Sequence, residues 1–166
     1  MNLNIVCLGG GTGLPNLLRG LKFHCDKLTA IVTMADDGGS SGVLRNELQI
    51  PPPGDIRNCL LALAYTEPLM EKLFLHRFGS GLLKGHSFGN LFIAAMTEIL
   101  DSFELAIKES SKVLAVRGTV LPSTLENVTL GAVFEDGKKV FGESNISSSM
   151  KKISRILLKP PNAKPL

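Results

Sequence analysis

A short apolar run, Ile5-Val6-Cys7-Leu8, stops at Gly9-Gly10-Gly11-Thr12-Gly13, and a helical pattern begins at once. Leu14, Leu17, Leu18 and Leu21 recur at i, i+3, i+4 and i+7, one face of a helix. Pro15 suits the first turn, where its missing N–H costs nothing. Strand, glycine loop and helix start together form a phosphate-binding arrangement. Glycine lets the backbone approach an anion, and the free N–H groups and the helix dipole attract it. A tight strand–helix turn without ligand is the plain alternative. The loop is not the usual dinucleotide fingerprint, because the third glycine position holds Leu14 or Asn16. It is not a Walker loop either, because no Lys-Ser or Lys-Thr follows.

Lys27 to Met34 is a second apolar, β-branched run, expected as a buried parallel strand. It completes a βαβ unit whose crossover should be right-handed. A glycine-rich loop then follows, Ala35-Asp36-Asp37-Gly38-Gly39-Ser40-Ser41-Gly42. Asp36 and Asp37 stand where a doubly wound nucleotide-binding domain holds its ribose-reading acid. Gly38, Gly39, Ser40 and Ser41 supply N–H and O–H donors for a phosphate. The adjacent carboxylates suit a sugar hydroxyl or a magnesium ion, which needs few carboxylates plus phosphate oxygens. An Asx turn on the surface is the alternative.

After Pro51-Pro52-Pro53-Gly54, Asp55 is expected to cap a helix through Ile56, Leu60, Leu61, Leu63 and Ala64. Asp55 is also a candidate metal or hydroxyl ligand, Arg57 a phosphate fork and Asn58 a ligand contact. Pro68 opens a further helix. Ser87 is expected to cap the helix carrying Phe88, Leu91, Phe92, Ala95 and Ile99, with His86 and Asn90 beside the same loop. No G-x-S-x-G elbow is present, so Ser–His hydrolysis is disfavoured. Asp101 and Glu104 suggest a capping box for the next helix, through about Ser111. Val113 to Val116 suggests a strand, Val128 to Phe134 a half-exposed one, Asp136-Gly137 a hairpin turn, and Ile153 to Leu158 a last strand.

The 166 residues suit one domain spanning 1–166. No apolar run reaches the roughly 18 residues of a membrane span. Cys7, Cys25 and Cys59 lack metal or redox spacing and fit buried thiols in a reducing cytoplasm. The net charge of +3 is uneven: residues 138–166 carry seven basic residues against Glu143 alone. Phe141 is the one aromatic residue among those lysines, too little for a row of stacking platforms, which argues against nucleic acid and for a solvated hairpin and tail. Three glycine-rich polar loops on one expected sheet edge argue for a nucleotide site.

With these residues in hand, the chain resembles the CofD/YvcK family, and more closely its gluconeogenesis-factor branch. The matching segments are GGGTGL (9–14), VTMADDGGSSG (32–42), PPGDIRNCLLAL (52–63), GHSFGNLFIAAMTEI (85–99), LAVRGTVLP (114–122) and the Gly142-Glu143 pair. The resemblance implies a Rossmann-like three-layer α/β/α fold with a mostly parallel sheet, followed here by an antiparallel hairpin. It implies a cytoplasmic protein that binds nucleotide sugars such as UDP-N-acetylglucosamine, with links to gluconeogenic growth, cell-wall metabolism and cell shape. The CofD branch instead transfers a phospholactyl group to a deazaflavin in coenzyme F420 synthesis, with magnesium. In that branch the positions of Asp36, Asp37 and Asp55 hold metal and acceptor. The resemblance also implies members about twice this length, so the chain is expected to be truncated relative to the family. A non-binding interaction domain is the third reading. The last strand offers an edge for pairing, a homo-oligomer included.

Overall fold

β1 (Asn4–Gly9) and β2 (Lys27–Val32) pair in parallel, with α1 (Gly13–Leu21) as the crossover between them. The computed structural model describes residues 3–166. After β2 the chain forms α2 (Gly39–Leu48), α3 (Gly54–Leu63), α4 (Pro68–Leu75), α5 (Phe88–Leu100) and α6 (Phe103–Val113). It then returns as β3 (Thr119–Pro122), parallel to β2, giving the order β1-β2-β3. β4 (Thr129–Phe134), β5 (Lys139–Phe141), α7 (Glu143–Ser148) and β6 (Ile153–Lys159) follow. They build an antiparallel sheet of order β5-β4-β6. The fold is thus the expected α/β class, a parallel sheet followed by an antiparallel hairpin at Asp136-Gly137.

One face of the parallel sheet is a core surface. Cys7, Leu28, Ala30, Val32 and Val120 pack with Leu14 and Leu18 of α1, Ile56, Leu60 and Leu63 of α3, and Ile107 of α6. α3 is buried almost all round, which is why its sequence carries no clean amphipathic stripe. The opposite face is different. Val6 is 54% exposed and Leu8 74% exposed, although both lie in a parallel strand.

Several expectations need correction. Val113 to Val116 is not a strand. Leu114 continues the helical face of Phe103, Ala106, Ile107 and Ser110, and Ala115 turns the chain at φ +48°. The strand starts later, at Thr119. The cap of α6 is Ser102, whose Oγ accepts from Leu105 N–H at 3.2 Å, whereas Asp101 ends α5 in a left-handed conformation. The Gly38–Gly42 stretch is not a free loop, because α2 begins at Gly39. α7 is a further helix that the sequence pattern does not announce. Of the three thiols, Cys7 and Cys59 are buried and Cys25 is half-buried. Burial pushes the Cys59 thiol up to about 12, with the Asp55 charge as a lesser cause.

Arg45 ties α2 to the segment that leads into β4. It is buried on α2 and its Nε donates to Asn127 Oδ1 at 2.8 Å. Its Nη2 donates to Asn127 Oδ1 and to the carbonyl of Val128, at the start of β4. A second tie runs from Ser144 N–H, in the first turn of α7, to Asp37 Oδ1 at 3.0 Å.

Candidate functional site

The helix starts of α2, α3 and α5 meet at the carboxyl edge of the parallel strands. They border a cleft of about 240 Å³ lined by Asp36, Gly38 to Ser41, Gly54, Asp55, Arg57, Asn58, Arg77 and Asn90. Ten of these eleven come from the glycine-rich segments and helix starts singled out in the sequence. Gly54 is required by proximity: a Cβ there would collide with Ser41 Oγ and stand 3.1 Å from Asp36 Oδ2.

A buried polar network joins the three helix starts. Asn90 Nδ2 donates to Ser40 Oγ at 3.1 Å and to Ser41 Oγ at 3.5 Å. Ser40 Oγ is hydrogen-bonded to His86 Nδ1 at 3.1 Å. Ser87 caps α5 as expected, its Oγ accepting from Asn90 N–H at 3.3 Å. Arg57 Nη1 donates to Ser87 Oγ and, at 2.9 Å, to Asn90 Oδ1, while Nη2 reaches Asn58 Oδ1 at 2.8 Å. Its buried Nε has no partner. Arg57 is therefore not a free phosphate fork; its terminal nitrogens already tie α3 to α5. The guanidinium open to solvent is Arg77, which sequence reasoning missed. Arg77 donates to the carbonyl of Gly85 and bridges to Ser87 in an isolated antiparallel pair. Only its place between α4 and the His86 loop could have signalled it.

The first glycine loop stands beside this cleft rather than in its wall. Thr12 caps α1 through backbone alone, and Gly11, Thr12 and Gly13 are exposed. Gly11 N–H donates to Asp55 Oδ2 at 2.7 Å. Asp55 thus does not cap its own helix, where Pro53 holds that position; it crosses to the α1 loop instead. Gly10 admits this approach, since a Cβ there would lie 2.6 Å from Asp55 Oδ2.

Each acid engages one backbone N–H and keeps a second oxygen. Asp36 Oδ1 accepts from Gly38 N–H at 2.9 Å, Asp37 Oδ1 from Ser144, and Asp55 Oδ2 from Gly11. Among the described residues no three His, Cys, Asp or Glu side chains converge on a metal position. Burial raises the Asp55 carboxyl, with Asp36 adding to the rise while the Gly11 N–H and Arg57 oppose it. Glu143 is raised by partial desolvation and then by the charges of Asp36, Asp55 and Asp37.

The sign for stability follows from the raised Asp55 value. Folding disfavours the ionised form, so stability falls as pH rises from the ordinary aspartate range through the raised one. Asp55→Asn keeps an acceptor for Gly11 N–H and removes that fall. The variant should match or exceed the parent in unfolding midpoint at neutral pH and show a flatter profile from acid to neutral pH. A steeper profile would contradict the assignment.

An α/β protein with helix starts gathered at a polar cleft beyond its parallel strands is the class that fold and site define. The chain belongs to the CofD family: the family model described as 2-phospho-L-lactate transferase CofD matches residues 5–166. It is 58% identical over 163 residues to the gluconeogenesis factor of Bacillus subtilis, and 57% identical over 164 residues to that of Halalkalibacterium halodurans. Each match covers 98% of this chain and 51% of the relative. The chain thus spans about half the length of these relatives. The crystal structure of a Bacillus halodurans protein, 56% identical, matches all of this chain with a TM-score of 0.96 and over 54% of its own length. Among the described residues no helix is long and apolar enough to cross a membrane.

Proposed function

We propose that this chain is the nucleotide-sugar-binding part of a regulatory protein of the gluconeogenesis-factor type, serving carbon metabolism, cell-wall synthesis and cell shape. The observation that carries this is the meeting of the α2, α3 and α5 starts with Arg77 around one cleft. Helix starts present unpaired N–H groups and positive dipole ends to an anion, and the exposed guanidinium adds a charged fork. A diphosphate fits that chemistry. Asp37 and Asp55 would meet sugar hydroxyls. At about 240 Å³ the cleft is smaller than the roughly 300–1,000 Å³ of a whole ligand pocket, so it takes the diphosphate and sugar rather than the entire ligand.

Asp36 and Asp55, both in the cleft wall, each keep a free oxygen that suits a hard divalent cation completed mainly by phosphate oxygens. Magnesium bound there would neutralise diphosphate charge. That carboxylate set also favours a second reading, a transferase of the CofD type. It predicts magnesium-dependent transfer from guanylyl-phospholactate to a deazaflavin.

Calorimetry with UDP-N-acetylglucosamine, with and without magnesium, tests the first reading. Binding is expected, and Arg77→Ala should weaken it about tenfold, or about 1.4 kcal/mol. At 100 times the dissociation constant, ligand should add about 2.7 kcal/mol to stability. No heat together with no thermal shift, or an Arg77→Ala affinity equal to the parent's, would sink the assignment.

A further inference from the structure

A guanidinium can only donate hydrogen bonds, and that sets the direction of the bonds around it. The two ends of a side-chain amide are alike in shape, so their partners decide which is which. Arg57 Nη1 lies 2.9 Å from the Asn90 amide, which must therefore turn its oxygen to Arg57. The nitrogen then faces the start of α2, 3.1 Å from Ser40 Oγ and 3.5 Å from Ser41 Oγ. It can only donate, so both hydroxyls are acceptors toward Asn90. Each serine keeps its one hydrogen for another partner.

Ser40 has such a partner within reach, since His86 Nδ1 stands 3.1 Å from its Oγ. Ser41 has none: among the described residues its Oγ bonds to Asn90 alone, although the side chain is only 4% exposed. Enclosed hydroxyls normally spend their hydrogen on an acceptor. Both serines line the cleft.

The same bonds carry polarity. Arg57 is the cation at one end, and Asn90 and both serines are buried. In a medium of low dielectric each hydrogen bond polarises the next, so a hydroxyl that accepts from an amide held by a guanidinium donates more strongly. α2 also begins here, at Gly39, and a helix start leaves its first N–H groups without helical partners. Backbone and side chains at the α2 start thus offer hydrogens together.

We infer that Asn90 is a positioning residue: it passes the polarity of the enclosed Arg57 to Ser40 and Ser41 and makes the α2 start a hydrogen-donating surface selective for a ligand group that only accepts, the diphosphate of a nucleotide sugar. The identity of that ligand rests on the function proposed above; the direction of the bonds does not. Arg57 acts on the cleft through Asn90, with its own terminal nitrogens already engaged. Ligand groups that must donate, the sugar hydroxyls, are left to carboxylate oxygens, Asp55 among them. Donors at one place and acceptors at another give the ligand a single orientation.

Asn90→Asp reverses the polarity with almost no change of shape. The new carboxylate accepts on both sides, so it pairs with Arg57 and draws both serine hydrogens away from the cleft. Calorimetry on the whole chain is expected to show UDP-N-acetylglucosamine and inorganic pyrophosphate each bound about tenfold more weakly. The unfolding midpoint should stay at or above the parent's. An amide that merely held the helices together would lose affinity and midpoint in parallel. Ser41→Ala removes one hydrogen and leaves the Arg57–Asn90 bond; it should weaken pyrophosphate binding about threefold, with little change in midpoint. Variants that bind both probes as the parent does, an Asn90→Asp chain that loses midpoint and affinity together, or a parent that binds neither probe would each overturn the inference. A parent that takes pyrophosphate but not the nucleotide sugar, and takes it more weakly with Asn90→Asp, would remove the proposed ligand and leave the donor surface standing. A parent that takes the nucleotide sugar no better than both variants do would remove the positioning role and leave the proposed function standing.

Discussion

Arg57→Ala is expected to lower stability by about 3 kcal/mol, because three side-chain oxygens lose a charged donor inside the protein. Those oxygens belong to Ser87, Asn90 and Asn58. Arg57 is itself only 9% exposed, so water cannot simply replace it. The loss should appear in urea unfolding as a lower midpoint with an unchanged slope. Arg57→Lys should recover little, since one ammonium cannot span two helices as a planar fork does. The α5 start is held to α3 through this side chain, so UDP-sugar binding should weaken in the same variant at temperatures where it remains folded. Full recovery of stability by lysine would show that charge alone, without the fork, suffices.

The Phe74→Ala variant should lose about 3–5 kcal/mol, the usual range for removing a buried phenyl ring. Phe74 is 1% exposed; its ring lies 5.7 Å from that of Phe88, edge-on, and 4.9 Å from that of Phe92. It is the one buried residue of α4. Its backbone also sits close under α5, where a Cβ on Gly89 would come within 2.8 Å of the Phe74 carbonyl oxygen. The cavity therefore opens beneath the turn that carries Ser87 and Asn90. Calorimetric unfolding measures the loss, and side-chain amide exchange at Asn90 should rise with it. A loss below about 1 kcal/mol would mean that the site collapses readily around the missing ring.

The parts of the fold that sequence patterns reveal are those in which local chemistry and burial agree. The β1–α1 start is legible because apolar run, glycine loop and leucine spacing all point the same way. The Asp136-Gly137 hairpin is legible because its turn demands those residue types. α2 was hidden because Gly39, Ser40, Ser41 and Gly42 are poor helix formers, and tertiary contact decides there: Gly42 lies so close to the Asp37 carbonyl that no side chain would fit. Val113–Val116 misled because a four-residue apolar run has no period of its own. Most residues of the cleft could be named in advance, since helix starts advertise themselves through glycine, serine and proline. Their partners could not. That Asp55 would bond the α1 loop, and that Arg57 would be enclosed rather than open, depends on distances between segments the sequence keeps 30 or more residues apart.

The bond from Ser144 N–H to Asp37 joins residues 107 positions apart. One oxygen of that carboxylate anchors the start of α7, and the residue is the chain neighbour of Asp36 and Gly38, which line the cleft. Loop, helix and antiparallel sheet therefore lie in mechanical series. A cation or hydroxyl that takes hold of Asp37 pulls on the same group that keeps the basic sheet in place. Occupancy of the cleft would then be readable at a distance, as altered hydrogen exchange at Ser144 and along β5, without any contact between ligand and sheet.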